Sequence, residues 1–339
     1  MSRLALLAIA CLACGPSDAA RRPPSDSASA AATPVGHASA RAFVLPERDL
    51  LPESIAFDPR SGSFFVGSMH RRKIVRRDPD GRVSDWAGPE RGLWSIIGIK
   101  IDSAGGELWA NSCSLGDDLP MAPADPATVG RGALLRLRLT DGSVVGRYEP
   151  PPAARPICFN DLALSPAGDV YLTAARDGLW RLPRGRSTLR QVMRDSTLWL
   201  NGVAAGPDGA LYVADDSLGP LLVEPASGRW RRVTAPAGAG LRSIDGLYVH
   251  GDGLVWIQNG GGPDRVVRAR LGGDAATVTD LRVLDTGHPD YAVPTTGVVV
   301  GDTLFYVATA QLGAIRPGGR IAPTDSMREN VILRLTLPR

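Results

Sequence analysis

Hydrophobic and polar positions repeat along the chain from about residue 51 to the end. Six times a short apolar strand meets a Gly or acidic turn and is followed by a second strand rich in aromatic and small residues. The openings are Glu53–Asp58, Ile97–Asp102, Asn160–Ser165, Asn201–Gly206, Asp245–His250 and Thr296–Gly301. The second strands centre on Phe64-Phe65-Val66, Leu108-Trp109-Ala110, Val170-Tyr171-Leu172, Leu211-Tyr212-Val213, Val255-Trp256-Ile257 and Phe305-Tyr306-Val307. Gly62, Gly106, Gly168, Gly209, Gly253 and Gly301 supply the turn chemistry that hairpins require. Third and fourth strands follow in most units, as in Ala133–Leu139 with Ser143–Tyr148 and Val266–Leu271 with Val278–Leu284. Four strands in a period of roughly 40–60 residues is the pattern of propeller blades. The predicted fold is all-β, a six-bladed β-propeller.

The last unit ends at Asn330–Leu337 and lacks a fourth strand. Ala42–Leu45, ahead of the first unit, fits that place. Pairing the two chain ends would close the ring and remove two exposed sheet edges.

Aligning the units on their first strands brings one column into register: Glu53, Ile97, Asn160, Asn201, Asp245 and Thr296. First strands line a propeller's channel, so these positions encircle the axis. Carboxylate and amide oxygens at Glu53, Asn160, Asn201 and Asp245 are ligands that Ca²⁺ accepts. The column has no imidazole or thiolate, which argues against a structural Zn²⁺ site. The competing reading is local: Asn201-Gly202 and Asp245-Gly246 are also common turn dipeptides. The cofactor expected is one divalent cation, with Ca²⁺ ahead of Zn²⁺, Mn²⁺ and Mg²⁺.

At these residues the sequence resembles the senescence marker protein / gluconolactonase / luciferin-regenerating enzyme superfamily, and more distantly the paraoxonases. The matching stretches are Pro52–Asp58, Phe159–Ala163, Leu200–Val203, Pro207–Asp215 and Ile244–Leu247. The resemblance implies a six-bladed propeller with one catalytic divalent metal that hydrolyses lactones or related esters. It implies Glu53, Asn201 and Asp245 as metal ligands, Asn160 as ligand or substrate contact, and Asp245 as general base. Sugar-lactone members tend to carry an Arg two residues before the Asn, and here that position is Cys158. The departure points to a less polar substrate, or to none.

Loops joining second to third strands return to the face of the column. They include Met69-His70, Asn111–Ser114 and Asp215–Ser217, with two long ones, Leu115–Arg131 and Gln311–Glu329. Long loops gathered on one face of a rigid scaffold serve binding. Met69, Phe159, Asn160 and Asp215 are candidate substrate contacts there, and His70 is a candidate proton shuttle because imidazole titrates near neutral pH. Cys113 and Cys158 fall on neighbouring blades at this face, which predicts a disulfide. No Gly-x-Ser-x-Gly elbow, P-loop or dinucleotide fingerprint occurs.

Composition changes the picture mainly at the N-terminus. Arg3 and the short apolar run Leu4–Ala13 have the shape of an export signal, too short to span a bilayer. The run ends at Cys14, with Cys11 as the fallback, in a pattern that resembles a bacterial lipoprotein signal. Residues 1–14 are therefore expected to be a signal peptide, 15–40 an Ala/Ser/Pro-rich tether and 41–339 the propeller. This predicts an exported protein of the cell envelope or periplasm, lipid-anchored at Cys14. Its only membrane contact would be through that lipid. A formal charge of +3 with scattered Arg residues gives no reason to expect nucleic acid as a partner. Three functional readings follow. The first is a metal-dependent hydrolase acting on a small lactone or ester. The second is a non-catalytic envelope propeller that binds a ligand or partner protein. The third is a lyase using His70.

Overall fold

The structure is a computed structural model that describes residues 37–114, 128–151, 157–316 and 320–339. Six four-stranded antiparallel sheets follow one another as the blades of a β-propeller. Blade 1 spans 52–87, blade 2 spans 95–148, blade 3 spans 162–193, blade 4 spans 200–232 and blade 5 spans 244–286. Blade 6 is built from Gly297–Val300, Thr303–Val307 and Asn330–Thr336, and Ala40–Leu45 is its fourth strand. That N-terminal strand pairs antiparallel with the C-terminal one, Val44 opposite Val331 and Leu45 opposite Asn330. Among the described residues no helix is long and apolar enough to cross a membrane.

The core is divided into six wedges, one at each junction between blades. Ala56, Phe65 and Ile74 of blade 1 meet Ile96, Ile99 and Leu135 of blade 2. Likewise Ala204 and Tyr212 of blade 4 meet Leu247 and Trp256 of blade 5. Alternation along each strand sends one set of side chains to each neighbouring blade, so a blade stabilises both its neighbours. At the closing junction, Phe64 packs on Phe43, Phe57 and Phe305 with ring centroids 5.3, 4.8 and 4.9 Å apart. Aromatic pairs at such spacings contribute about 0.5–1.5 kcal/mol each beyond their buried area.

Two local expectations change. In blade 3 the regular first strand starts at Leu162, because Asn160 and Asp161 bond Thr173 outside a regular ladder. In blade 5 the left-handed turn residue is Gly251 (φ 57°), while Gly253 opens the second strand. Gly253 is there for space: a Cβ would sit 2.0 Å from the Ala269 carbonyl oxygen.

Candidate metal centre on the axis

The column residues sit where the sheet ladders slip. Register shifts fall between Pro52 and Ser54, Ile96 and Gly98, Leu200 and Val203, and Ile244 and Leu247. Glu53, Ile97, Asn201 and Asp245 each lie inside one of these irregularities. A bulge frees a residue from the alternation of its strand and re-aims its side chain. Three residues just upstream are left-handed without being glycine: Leu51 (φ 46°), Ser243 (φ 55°) and the β-branched Val293 (φ 63°). Such conformations cost about 1–3 kcal/mol each and persist where the surroundings enforce them.

Neighbouring blades clamp the column through its backbone. The Glu53 carbonyl accepts from Thr296 Oγ1 at 2.8 Å and Thr295 Oγ1 at 3.1 Å. The Asn160 carbonyl accepts from Asn111 Nδ2 at 3.1 Å, and the Asn201 carbonyl from Thr173 Oγ1 at 2.6 Å. A Cβ on Gly202 would lie 2.1 Å from the Asp245 carbonyl oxygen, and one on Gly98 would lie 2.9 Å from that of Asn160. Gly202 and Gly246 belong to first strands and have no left-handed φ, so Asn201-Gly202 and Asp245-Gly246 are not turns.

The side chains bring charge into a dry place. Glu53 and Asp245 are each 2% exposed, and Glu53 Oε2 is buried without a hydrogen-bond partner. Burial, then the charges of Asp245 and Asp161, push the Glu53 carboxyl well above the usual glutamate range. Asn160 Nδ2 donates to Asn201 Oδ1 at 3.0 Å, and Asn259 Nδ2 donates to Asp245 Oδ2 at 2.7 Å. Buried Asn111 Oδ1 is another oxygen without a partner. An orphaned carboxylate oxygen beside a second carboxylate and two amides fits a hard cation, which accepts oxygen donors of this kind. Among the described residues no three His, Cys, Asp or Glu side chains group as a metal cluster. Half of this column's donors are amides.

The other sequence-derived candidates are dispersed. Met69 is buried in an apolar cluster with Leu51, Ile97, Cys113 and Leu312. His70 follows it, half-buried, with Nε2 4.0 Å from Asp49 Oδ2 and its backbone N–H on the Leu50 carbonyl. Phe159 is a core residue of the junction between blades 2 and 3, edge-on to Trp180. Asp215 is engaged by the backbone N–H groups of Trp199, Ser217 and Leu218, the work of a turn-forming carboxylate. Cys113 and Cys158 form a disulfide with Cα atoms 5.6 Å apart, closing a sequence separation of 45 residues. Cys11, Cys14 and most of the loop 115–131 lie outside the described residues.

Sequence reasoning gave no role to Asp161, Lys100, Asn111 or Asn259. Asp161 accepts from the backbone N–H groups of Leu162 and Val203 and from Lys100 Nζ. One cue was available: Lys100 is one of two lysines in a chain whose other basic side chains, histidines aside, are arginine.

No protein-family model matches the sequence, and no curated protein matches it. Solved structures do match. A gluconolactonase from Xanthomonas campestris is 18% identical with a TM-score of 0.57, the match covering 87% of this chain and 89% of that one. The PQQ-bound aldose sugar dehydrogenase of Streptomyces coelicolor is 14% identical with a TM-score of 0.59, covering 90% and 99%. A catalytically inactive variant of virginiamycin B lyase from Staphylococcus aureus, with quinupristin, is 14% identical with a TM-score of 0.54, covering 87% and 98%. What these likenesses share with this chain is the fold.

Proposed function

We propose that this chain is a divalent-metal-dependent hydrolase of lactones or related esters, with the metal held by Glu53, Asn160, Asn201 and Asp245. The observation that carries the reading is Glu53, a deeply buried carboxylate with an unpartnered oxygen beside Asp245 on the axis. The gluconolactonase among the structural neighbours supports it at the level of fold.

A bound divalent ion would supply Lewis acidity toward a carbonyl oxygen and lower the pKa of a water. The chain's residues do the rest. Asn259 holds the Asp245 carboxylate through Oδ2, fixing the orientation of the base that takes the proton. The backbone clamps at Glu53, Asn160 and Asn201 hold the donors before substrate arrives, so little reorganisation remains. Cys158 stands where sugar-lactone members tend to carry an Arg, which suits a less polar lactone or ester better than a polyhydroxylated one. Export and anchoring at Cys14 complete this reading, placing the enzyme in the bacterial envelope.

Elemental analysis of protein purified without chelator, beside Asp245→Ala, tests the site. About one divalent ion per chain, lost in the variant together with turnover on an aliphatic lactone panel, is the expected result. No metal in either protein overturns the reading. Metal without turnover on any lactone or ester leaves the envelope-binding propeller in its place.

A further inference from the structure

The axis carries one more charged pair than a four-ligand site requires. Asp161, 3% exposed, lies next to Asn160 in sequence and accepts from Lys100 Nζ at 3.2 Å through Oδ1. Its Oδ2 accepts the backbone N–H of Val203 at 3.2 Å, so the carboxylate ties blade 3 to its neighbours, blades 2 and 4. Lys100 stands on the first strand of blade 2, three residues past Ile97, the one column position whose side chain is wholly apolar. Its stem faces a channel cavity of about 390 Å³ lined by Phe57, Leu164, Val203, Tyr248 and Val298. The side chains lining it are apolar apart from Lys100 and Tyr248, whose hydroxyl oxygen accepts the Gly297 backbone N–H. Asp161 acts electrostatically on Glu53, as Asp245 does, so the three carboxylates share one field.

Counting charge on this axis gives three carboxylates, Glu53, Asp161 and Asp245, against one ammonium. The sum is two negative units, the complement of one divalent ion. An arginine at position 100 would carry the same charge on a bulkier planar head, whereas an ammonium is a compact point charge that fits a narrow channel.

We propose that Lys100 is a built-in counterion: by neutralising Asp161 it sets the net charge of the axial site at minus two and so makes the site selective for divalent over trivalent cations. This rests on the metal reading above and adds the residue that determines charge selectivity. Lys100 touches neither metal nor substrate in this account; it is a positioning residue that works through Asp161. Removing the ammonium leaves three negative units facing the ion. At an effective dielectric near 20, one unit charge added to the field of the site changes the affinity for each added cationic charge by roughly tenfold or more.

The experiment measures Ca²⁺ and Tb³⁺ binding to the mature protein by calorimetry and by terbium luminescence, for wild type, Lys100→Met, Asp161→Asn and the double variant. Lys100→Met is expected to raise the Tb³⁺-to-Ca²⁺ affinity ratio by about tenfold or more, and Asp161→Asn to lower it by a similar factor. The double variant restores the charge sum and is expected to return the ratio to within a few-fold of wild type, a compensation that mere loss of packing does not produce. Asp161→Asn, a near-isosteric change that removes only the carboxylate charge, carries the test if Lys100→Met fails to fold, and Lys100→Gln carries it if Asp161→Asn does. Ca²⁺ binding with the same ratio in all folded variants would overturn the counterion and leave the metal site standing. No divalent binding by the wild-type protein would overturn both.

Discussion

A carboxylate buried as deeply as Glu53 holds either a proton or a cation. Burial and its two acidic neighbours raise its pKa, so above the ordinary glutamate value of 4.5 the native metal-free protein keeps a proton that the unfolded chain releases. The sign follows from linkage: metal-free stability declines as pH climbs from that value toward the raised one. A divalent ion bound there, as proposed, would displace the proton and reverse the penalty. Glu53→Gln keeps the shape and removes the titration. In chelator its melting temperature is expected to lose wild type's downward drift with pH, and added Ca²⁺ should give it no stabilisation. Wild type should gain about 2.7 kcal/mol when Ca²⁺ is at roughly 100 times its Kd. Thermal melts from acid to neutral pH, with chelator or Ca²⁺, read both effects, and a Glu53→Gln protein that still gains from Ca²⁺ removes Glu53 from the ligand set. Gly202 offers a steric test of the same ring. Its substitution by Ala drives a methyl into the Asp245 carbonyl. A loss of about 1–3 kcal/mol by urea titration, with weakened Ca²⁺ binding, is expected, since backbone has little freedom to yield. An unperturbed Gly202→Ala would mean that the first strands pack more loosely than described.

The elements explain what could be read from the sequence and what could not. Strand pairs and their turns follow from alternation and glycine placement, so all six blades, their second strands and the closing N-terminal strand stood out in the chain. The column stood out as well, because Glu53, Asn201 and Asp245 are polar residues at the head of apolar runs. The bulges that aim them were hidden: a register shift depends on both strands, and no single-strand pattern encodes it. The same limit made Asn201-Gly202 and Asp245-Gly246 read equally well as turns. Asp161 was masked by its neighbour Asn160, and its partner Lys100 lies in another blade. Phe159 and Asp215 looked functional from position, but one fills a core wedge and the other caps a turn. The closing strand raises a separate prediction. Arg41 holds Asp290 through two contacts, Nη2 to Oδ1 at 2.6 Å and Nε to Oδ2 at 2.8 Å. The hydrogen bonds and charge of Arg41 depress the Asp290 pKa below its ordinary 3.8. The stabilisation is therefore complete above 3.8 and is lost as pH falls through the depressed value. Arg41→Ala should melt below wild type at neutral pH, and the gap should close on acidification beneath that point. A gap that persists unchanged in strong acid would assign the effect of Arg41 to packing instead.

At the scale of the whole molecule, the ring is only as closed as the pairing of its two ends. Ala40–Leu45 covers the edge of Asn330–Thr336, and Phe43 joins the aromatic cluster that ties blade 6 to blade 1. The chain then runs through Leu50 and Leu51, both fully buried, directly into Glu53. Asn330 Nδ2 grips the Glu47 and Arg48 carbonyls on the way. Closure and the axial site are thus mechanically linked through a short buried segment. A protein that starts at residue 46 should expose an unpaired edge and lose those anchors, whereas one that starts at residue 37 keeps both. The first is expected to melt lower, to self-associate on size exclusion as open edges do, and to bind Ca²⁺ more weakly. The second should match the full chain in all three. If the protein starting at residue 46 stays monomeric with undiminished Ca²⁺ affinity, the site is held by the other five blades and the terminal strand is a cover over an edge, with no part in positioning Glu53.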